Sequence, residues 1–128
     1  MTFDSLTSSY LDECRRALDE EQTRSLVATN HWEHVDRQGV HADWDALYRR
    51  ISPLIAHADP SSSQIQILIA AHYDIACRFY IPSARAYVGM ALHYRENHDM
   101  AAFHNTYHPD MVRFLADAMS TYAHTELS

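Results

Sequence analysis

Histidine is the residue with the most latent chemistry in this chain, at ten of 128 positions. His31 and His34 are three apart and His104 and His108 are four apart, so each pair can share one face of a helix and offer two metal ligands. A metal centre needs three or four ligands with an ordered outer shell. No His-Glu-x-x-His run occurs, and no pair of Glu-x-x-His segments suits a di-iron bundle. Pro109 directly after His108 reads as helix punctuation, which makes His108 a cap rather than a ligand. Neither a metal site nor a cofactor is expected. His72 is a separate case, because it lies on the apolar face of a strongly periodic segment. It is either a core histidine satisfied by a backbone carbonyl or a polar anchor in an apolar small-molecule pocket. Haem ligation by such a residue would rest on fold analogy alone.

The nucleophiles are sparse. Cys14 and Cys77 are the only cysteines, and no Cys-x-x-Cys motif is present. On a helix, Cys77 points roughly 140° away from His72, so the two do not form a dyad. Cys77 reads as a small buried hydrophobe. There is no phosphate-binding glycine loop, nucleophile elbow or paired-carboxylate motif, and with two glycines in the chain a nucleotide cradle is all but excluded. No enzymatic activity is expected.

What remains is an aromatic and sulfur-rich set in which Trp44, Phe79, Tyr80, Tyr87, Met90, Tyr94, Phe103, Tyr107 and Phe114 recur at helical spacing. Core packing is the plain explanation, and for Met90, Tyr94 and Phe114 the better one. Yet each buried tyrosine hydroxyl needs a partner. So many inward tyrosines imply a cleft that is part apolar and part wet, suited to a flat, amide-rich ligand. The candidate ligand-binding set is Trp44 near the mouth, His72 as anchor, and Phe79, Tyr80, Tyr87, Met90, Phe103 and Tyr107. Tyr87→Ala is expected to weaken binding and spare the fold.

The elements that must position these residues are all helical. Two glycines and four prolines over this length argue for long helices with few tight turns, and no strand pattern appears. A first helical region covers about 5–29, with Leu6, Tyr10, Cys14, Ala17 and Leu18 on one face. A short helix or turn at 31–38 is closed by Gly39 acting as a stop, and Asp43 opens the next helix. That helix carries the stripe Trp44, Leu47, Tyr48, Ile51, Leu54 and Ile55, which Pro53 should kink. A serine-rich loop at 57–63 supplies N-cap oxygens for a helix over 64–80 with Ile65, Leu68, Ile69, His72, Ala76 and Phe79 on one face. Further helices are expected at about 83–96, 99–107 and 109–124. Five to seven helices of unequal length favour a globin-like all-α bundle, in one domain, over a regular four-helix bundle.

Composition sets the compartment and the partners. A net charge of −7 speaks against direct nucleic-acid binding. All ten cationic residues are arginines, and they are scattered. Two separated thiols suit a reducing compartment. No apolar run approaches the roughly 20 residues of a membrane span, and the start lacks the pattern of a signal peptide. A soluble cytoplasmic protein is expected.

The order Phe79-Tyr80, Met90, Tyr94, a break, Phe103, then Pro109, Met111, Phe114-Leu115 and Asp117-Ala118-Met119 resembles the TipAS antibiotic-recognition domain. That domain is the C-terminal half of some MerR-type regulators and also occurs in albicidin-binding resistance proteins. Tyr10 to Glu13, Asp43-Trp44 and the His72 helix extend the resemblance to nearly all of the chain. It implies a globin-like fold whose cleft binds large, often peptide-like antibiotics, here in a stand-alone domain that sequesters a drug. Thiopeptide-capturing relatives carry a cysteine just after the aromatic pair, where this chain has Pro82, so the resemblance implies non-covalent binding. A region over 1–30 that is mobile without ligand is a further expectation. The alternatives are a regulatory module acting with a separate protein partner, and a histidine-dependent metal or haem protein.

Overall fold

Residues 3–127 are described by a computed structural model, in which they form six α-helices and two 3-10 turns with no strand among them. The helices are α1 (Ser8–Ala28), α2 (Arg37–Ile51), α3 (Ser63–Ala76), α4 (Ala84–Glu96), α5 (His98–Asn105) and α6 (Met111–Glu126). Their unequal lengths pack into one all-α bundle of globin-like character. None of them is long and apolar enough to cross a membrane.

The centre of the bundle is α4, which lies between α1 and α6, while α2 packs on α3. Its position explains its sequence. Ala86, Tyr87, Val88, Gly89, Ala91, Leu92 and Tyr94 are all buried, too many for a single stripe, because α4 is covered on more than one side. Gly89 is required by the crossing with α1. A Cβ there would overlap the Cys14 carbonyl oxygen and stand 2.9 Å from Leu18 Cβ. On the other side α6 buries Met111, Phe114, Leu115, Ala118 and Met119 at steps of three and four. The Asp117 carboxylate, one residue off that face, accepts the Phe3 N–H at 2.6 Å and holds the N-terminal turn down. Glu21 of α1 accepts from the backbone N–H of Ser83 at 3.0 Å and from its hydroxyl, so the first long helix is also tied to the start of α4.

Several expected boundaries are corrected. Gly39 does not stop a helix, and Asp43 does not open one. The second helix begins at Arg37 with Asp36 as its N-cap, the carboxylate accepting from Gly39 N–H at 3.1 Å. A Cβ at Gly39 would come 2.6 Å from Asp36 Oδ2, so the glycine serves the cap. Asp36→Ala is expected to cost about 1 kcal/mol of stability, read as a lowered urea midpoint; an unchanged midpoint would show that water caps this end equally well. Pro53 ends α2 rather than kinking it, in a tight 3-10 turn at Ser52–Leu54. The third helix stops at Ala76, not Tyr80. Arg78 and Phe79 turn back on Ile75 and Ala76 through bonds of 3.0 and 3.1 Å, so Phe79 leaves the His72 face. The last helix starts at Met111, with Pro109 outside it and His108 Nδ1 accepting from Asp110 N–H at 3.0 Å.

Between α1 and α2 the chain makes an unexpected turn. Asn30, His31 and Trp32 are all left-handed, with φ of 52°, 59° and 61°. None is glycine, so each is strained by roughly 1–2 kcal/mol. The turn is held by His31 N–H on Leu26 O at 2.8 Å, Trp32 N–H on Thr29 Oγ1 at 3.0 Å and the Trp32 indole N–H on Ser25 Oγ at 2.9 Å.

Candidate functional site

Two cavities share a wall. The first, of about 490 Å³, opens between α2 and α5. Helix α2 contributes His41, Trp44, Asp45 and Tyr48, while α5 and the residue two beyond it contribute Met100, Phe103, His104 and Tyr107. Both sets follow the steps i, i+3, i+4 and i+7, so each presents one continuous face. Tyr94 of α4 closes the floor. The second cavity, of about 220 Å³, lies toward α1. It is lined by Leu18 and Gln22 of α1, Trp32 of the left-handed turn, Ala76, Phe79 and Tyr80 at the end of α3, and Met90 and His93 of α4. Trp44, Tyr94 and Met100 border both, which makes the pair two lobes of one cleft.

Trp44 is the hinge of this arrangement. Its ring lies 6.1 Å from Phe79 at an interplanar angle of 14°, and Phe79 meets the edge of Trp32 at 4.9 Å. The early end of α3 therefore has a use: it frees Phe79 to sit between two tryptophans, stacked on Trp44 and edge-on to Trp32. The Trp44 indole N–H and the Tyr80 hydroxyl are both buried without a hydrogen-bond partner. A buried unpaired donor costs about 1–3 kcal/mol, and both residues face the smaller lobe. Burial, then the nearby Glu21 charge, pushes the Tyr80 hydroxyl up to about 12, so it stays a donor at neutral pH.

Behind the first lobe runs a chain of buried polar groups, and its polarity can be deduced from one end. His104 Nδ1 lies 2.7 Å from the Met100 carbonyl oxygen, which only accepts, so Nδ1 carries the proton. Neutral His104 then accepts at Nε2 from the Tyr48 hydroxyl at 3.1 Å. Having donated, Tyr48 accepts from His72 Nε2 at 3.2 Å, and His72 Nδ1 accepts from the Tyr87 hydroxyl at 2.8 Å. Every link is satisfied with both rings neutral. Burial, then His104, lowers His72 to about 3, and burial lowers His104 as well, in keeping with that state.

The candidate residues fall into two groups. Trp44, Phe79, Tyr80, Met90, Phe103 and Tyr107 line one lobe or the other. His72 and Tyr87 line neither; both are 0 % exposed and lie behind the wall, where His72 steadies Tyr48 and Tyr87 completes the chain. Tyr87→Ala is thus a core truncation, and the expectation becomes a loss of stability of about 3–5 kcal/mol. Tyr94 is both core and floor. Trp32, His41, Asp45, Tyr48, Met100 and His104 also line the cleft and were not among the candidates. A usable signal was present in the paired patterns His-x-x-Trp-Asp-x-x-Tyr and Met-x-x-Phe-His-x-x-Tyr.

Both nitrogens of His72 and of His104 are engaged in the chain, and the described residues contain no group of three or more His, Cys, Asp or Glu able to hold an ion. His31 and His34 are parted by the left-handed turn, and His34 Nε2 lies 3.0 Å from the Arg78 carbonyl oxygen.

A family model of the TipAS antibiotic-recognition domain matches residues 10–122. The chain belongs to that family. No curated protein and no solved structure matches it. The matched span of this TipAS domain contains every residue that lines the two lobes, from Leu18 to Tyr107. Family membership makes it a ligand-binding domain for antibiotic recognition rather than a member of a catalytic family. Neither thiol of the TipAS domain reaches the cleft: Cys14 is fully buried between helices, and burial pushes the half-buried Cys77 thiol up, away from the reactive thiolate.

Proposed function

We propose that the chain binds a large aromatic or peptide-like antibiotic without covalent capture or turnover, and sequesters it in the cytoplasm. The observation that carries this reading is Trp44. It joins the two lobes, stacks on Phe79, and presents a buried indole N–H with no partner. With a small turn of each ring toward the lobe, a ligand carbonyl would satisfy that donor and a second would satisfy Tyr80, so an oligo-amide with aromatic units suits the cleft on both counts. The absence of a thiol in the lining supports non-covalent binding. Unbridged cysteines suit a reducing compartment.

The N-terminal helix belongs to the same proposal. α1 runs for 21 residues yet buries only Cys14 fully. Leu18 and Gln22 give it a share in the smaller lobe, so an occupant adds to the anchorage that α4 already provides. We infer that residues up to about 30 are the part most stabilised by ligand.

A thermal-shift screen against natural-product antibiotics, oligo-aramides and thiopeptides included, tests the reading. A ligand at one hundred times its Kd adds about 2.7 kcal/mol, several degrees for a domain of this size. Trp44→Phe keeps an aromatic ring but deletes the donor and the pyrrole half of the indole, so it should weaken the best ligand at least roughly tenfold. A flat screen with folded protein would remove the proposal in favour of a module that works through a protein partner.

A further inference from the structure

The larger lobe has an uneven chemistry. Its walls are the rings of Trp44, Tyr48, Tyr94, Phe103 and Tyr107, with the His41 imidazole edge-on to Trp44, the Met100 side chain beside them and no arginine among the lining residues. His104 is uncharged there, since its Nδ1 proton is committed to a backbone carbonyl and its Nε2 accepts from Tyr48. The one formal charge fixed in the wall is the carboxylate of Asp45. Tyr107 donates its hydroxyl to Asp45 Oδ1 at 2.5 Å, and this bond, followed by Arg49, holds the carboxyl below its usual range. Asp45 is therefore ionised at neutral pH. A phenol that donates to a carboxylate also gains electron density, which deepens the negative face of its ring. Arg49 binds the outer oxygen, Oδ2, at 2.9 Å, at the rim of the lobe, where its side chain is 72 % and that of Asp45 43 % exposed, so water screens both charges and the ring faces carry the larger share of the attraction.

Electron-rich faces around a single carboxylate, in a cavity without a fixed cation, form the environment that attracts a weakly hydrated positive charge. We propose that the larger lobe takes an alkylated or quaternary ammonium group carried on an aromatic amide ligand. This deepens the reading of the cleft as a ligand site and rests on it. The cation lies among Trp44, Tyr107 and Phe103 with Asp45 at its side, while the amide portion extends past Trp44 toward Tyr80. A carboxylate-bearing end in the same place would face Asp45 and the negative ring faces, so anionic ligands are disfavoured in this lobe. The net charge of −7 likewise draws cationic ligands from solution.

Two probes of nearly equal shape separate charge from fit: 4-(trimethylammonio)benzamide and 4-tert-butylbenzamide. Binding is read by quenching of tryptophan fluorescence and by calorimetry. The cation is expected to bind roughly tenfold more tightly than its neutral isostere. Asp45→Asn should lower the ratio of the two constants severalfold, the ring faces keeping what remains of the preference, and Arg49→Gln, which removes the competing guanidinium, should raise it. Equal binding of both probes by the unaltered protein, or preference for the neutral one, overturns the proposal. So does failure of both probes to bind while an antibiotic from the screen does, and in that case the reading of the cleft survives. If neither the probes nor any antibiotic binds, both fall together.

Discussion

Gly89→Ala is expected to destabilise the fold by about 3 kcal/mol, at the upper end of the usual cost of overpacking. The atoms a new Cβ would meet are the Cys14 carbonyl oxygen and carbon and Leu18 Cβ, and no rotamer change moves any of them. Relief would require α1 to lift from α4. The prediction is sharp because helix propensity alone has the opposite sign: in a helix interior, alanine is favoured over glycine by about 1 kcal/mol. Urea denaturation of the ligand-free protein therefore decides more than a magnitude. A lower midpoint shows that α1 is docked on α4 before any ligand arrives. A higher one shows that the crossing is absent in the free protein, and the cleft is then completed only on binding. The variant should also widen the smaller lobe, since Leu18 and Gln22 move with α1 while Met90 and Tyr94 do not.

Acid should unfold this protein earlier than its carboxylates alone would dictate. His72 is neutral in the fold, lowered to about 3 from an ordinary value of 6.5. Between those limits the unfolded chain binds a proton that the native state refuses. Stability is complete above about pH 6.5 and falls as the pH drops toward 3, at roughly 1.4 kcal/mol per unit. From pH 6.5 to 5 the loss attributable to His72 is about 2 kcal/mol. His104 shifts in the same direction and adds to the upper part of that window. Protonating it also removes the acceptor for the Tyr48 hydroxyl and so loosens the wall of the larger lobe. His72→Gln retains a donor and an acceptor but does not titrate. It should be less stable at pH 7 and lose stability with acid about one proton less steeply. An unchanged slope in this variant would place the titration elsewhere.

The bundle was legible because its helices are amphipathic. The stripes in α2, α3 and α6 name their buried residues, and the scarcity of glycine and proline leaves little room for strands. The misread boundaries have a common cause. Gly39, Pro53 and Pro109 are ordinary signals whose meaning depends on a neighbour: Asp36 caps across Gly39, and His108 takes the N–H that Pro109 would have led into a helix. The cleft was legible as a composition and not as a place. Periodicity shows that a side chain points inward but not whether inward is core or cavity. His72 and Tyr87 therefore look like Tyr48 and Tyr94 in the sequence, although a layer of side chains separates the first pair from the cleft. Trp32 carries no periodic signal, since a run of left-handed, non-glycine residues positions it.

That run has a mechanical meaning. It is a rigid corner at the end of α1, and the indole at its tip is bonded back to Ser25 on the helix itself. Trp32, Gln22 and Leu18 consequently move as one body with α1, facing Phe79, Tyr80 and Met90 on the rest of the bundle. An occupant of the smaller lobe touches both sides of this seam. It acts as a cross-link without a bond, closing the long segment between α1 and α4 much as a disulfide shortens a loop. Its affinity and the docking of the first helix are then one free energy seen from two sides, so tighter ligands must also be better clamps.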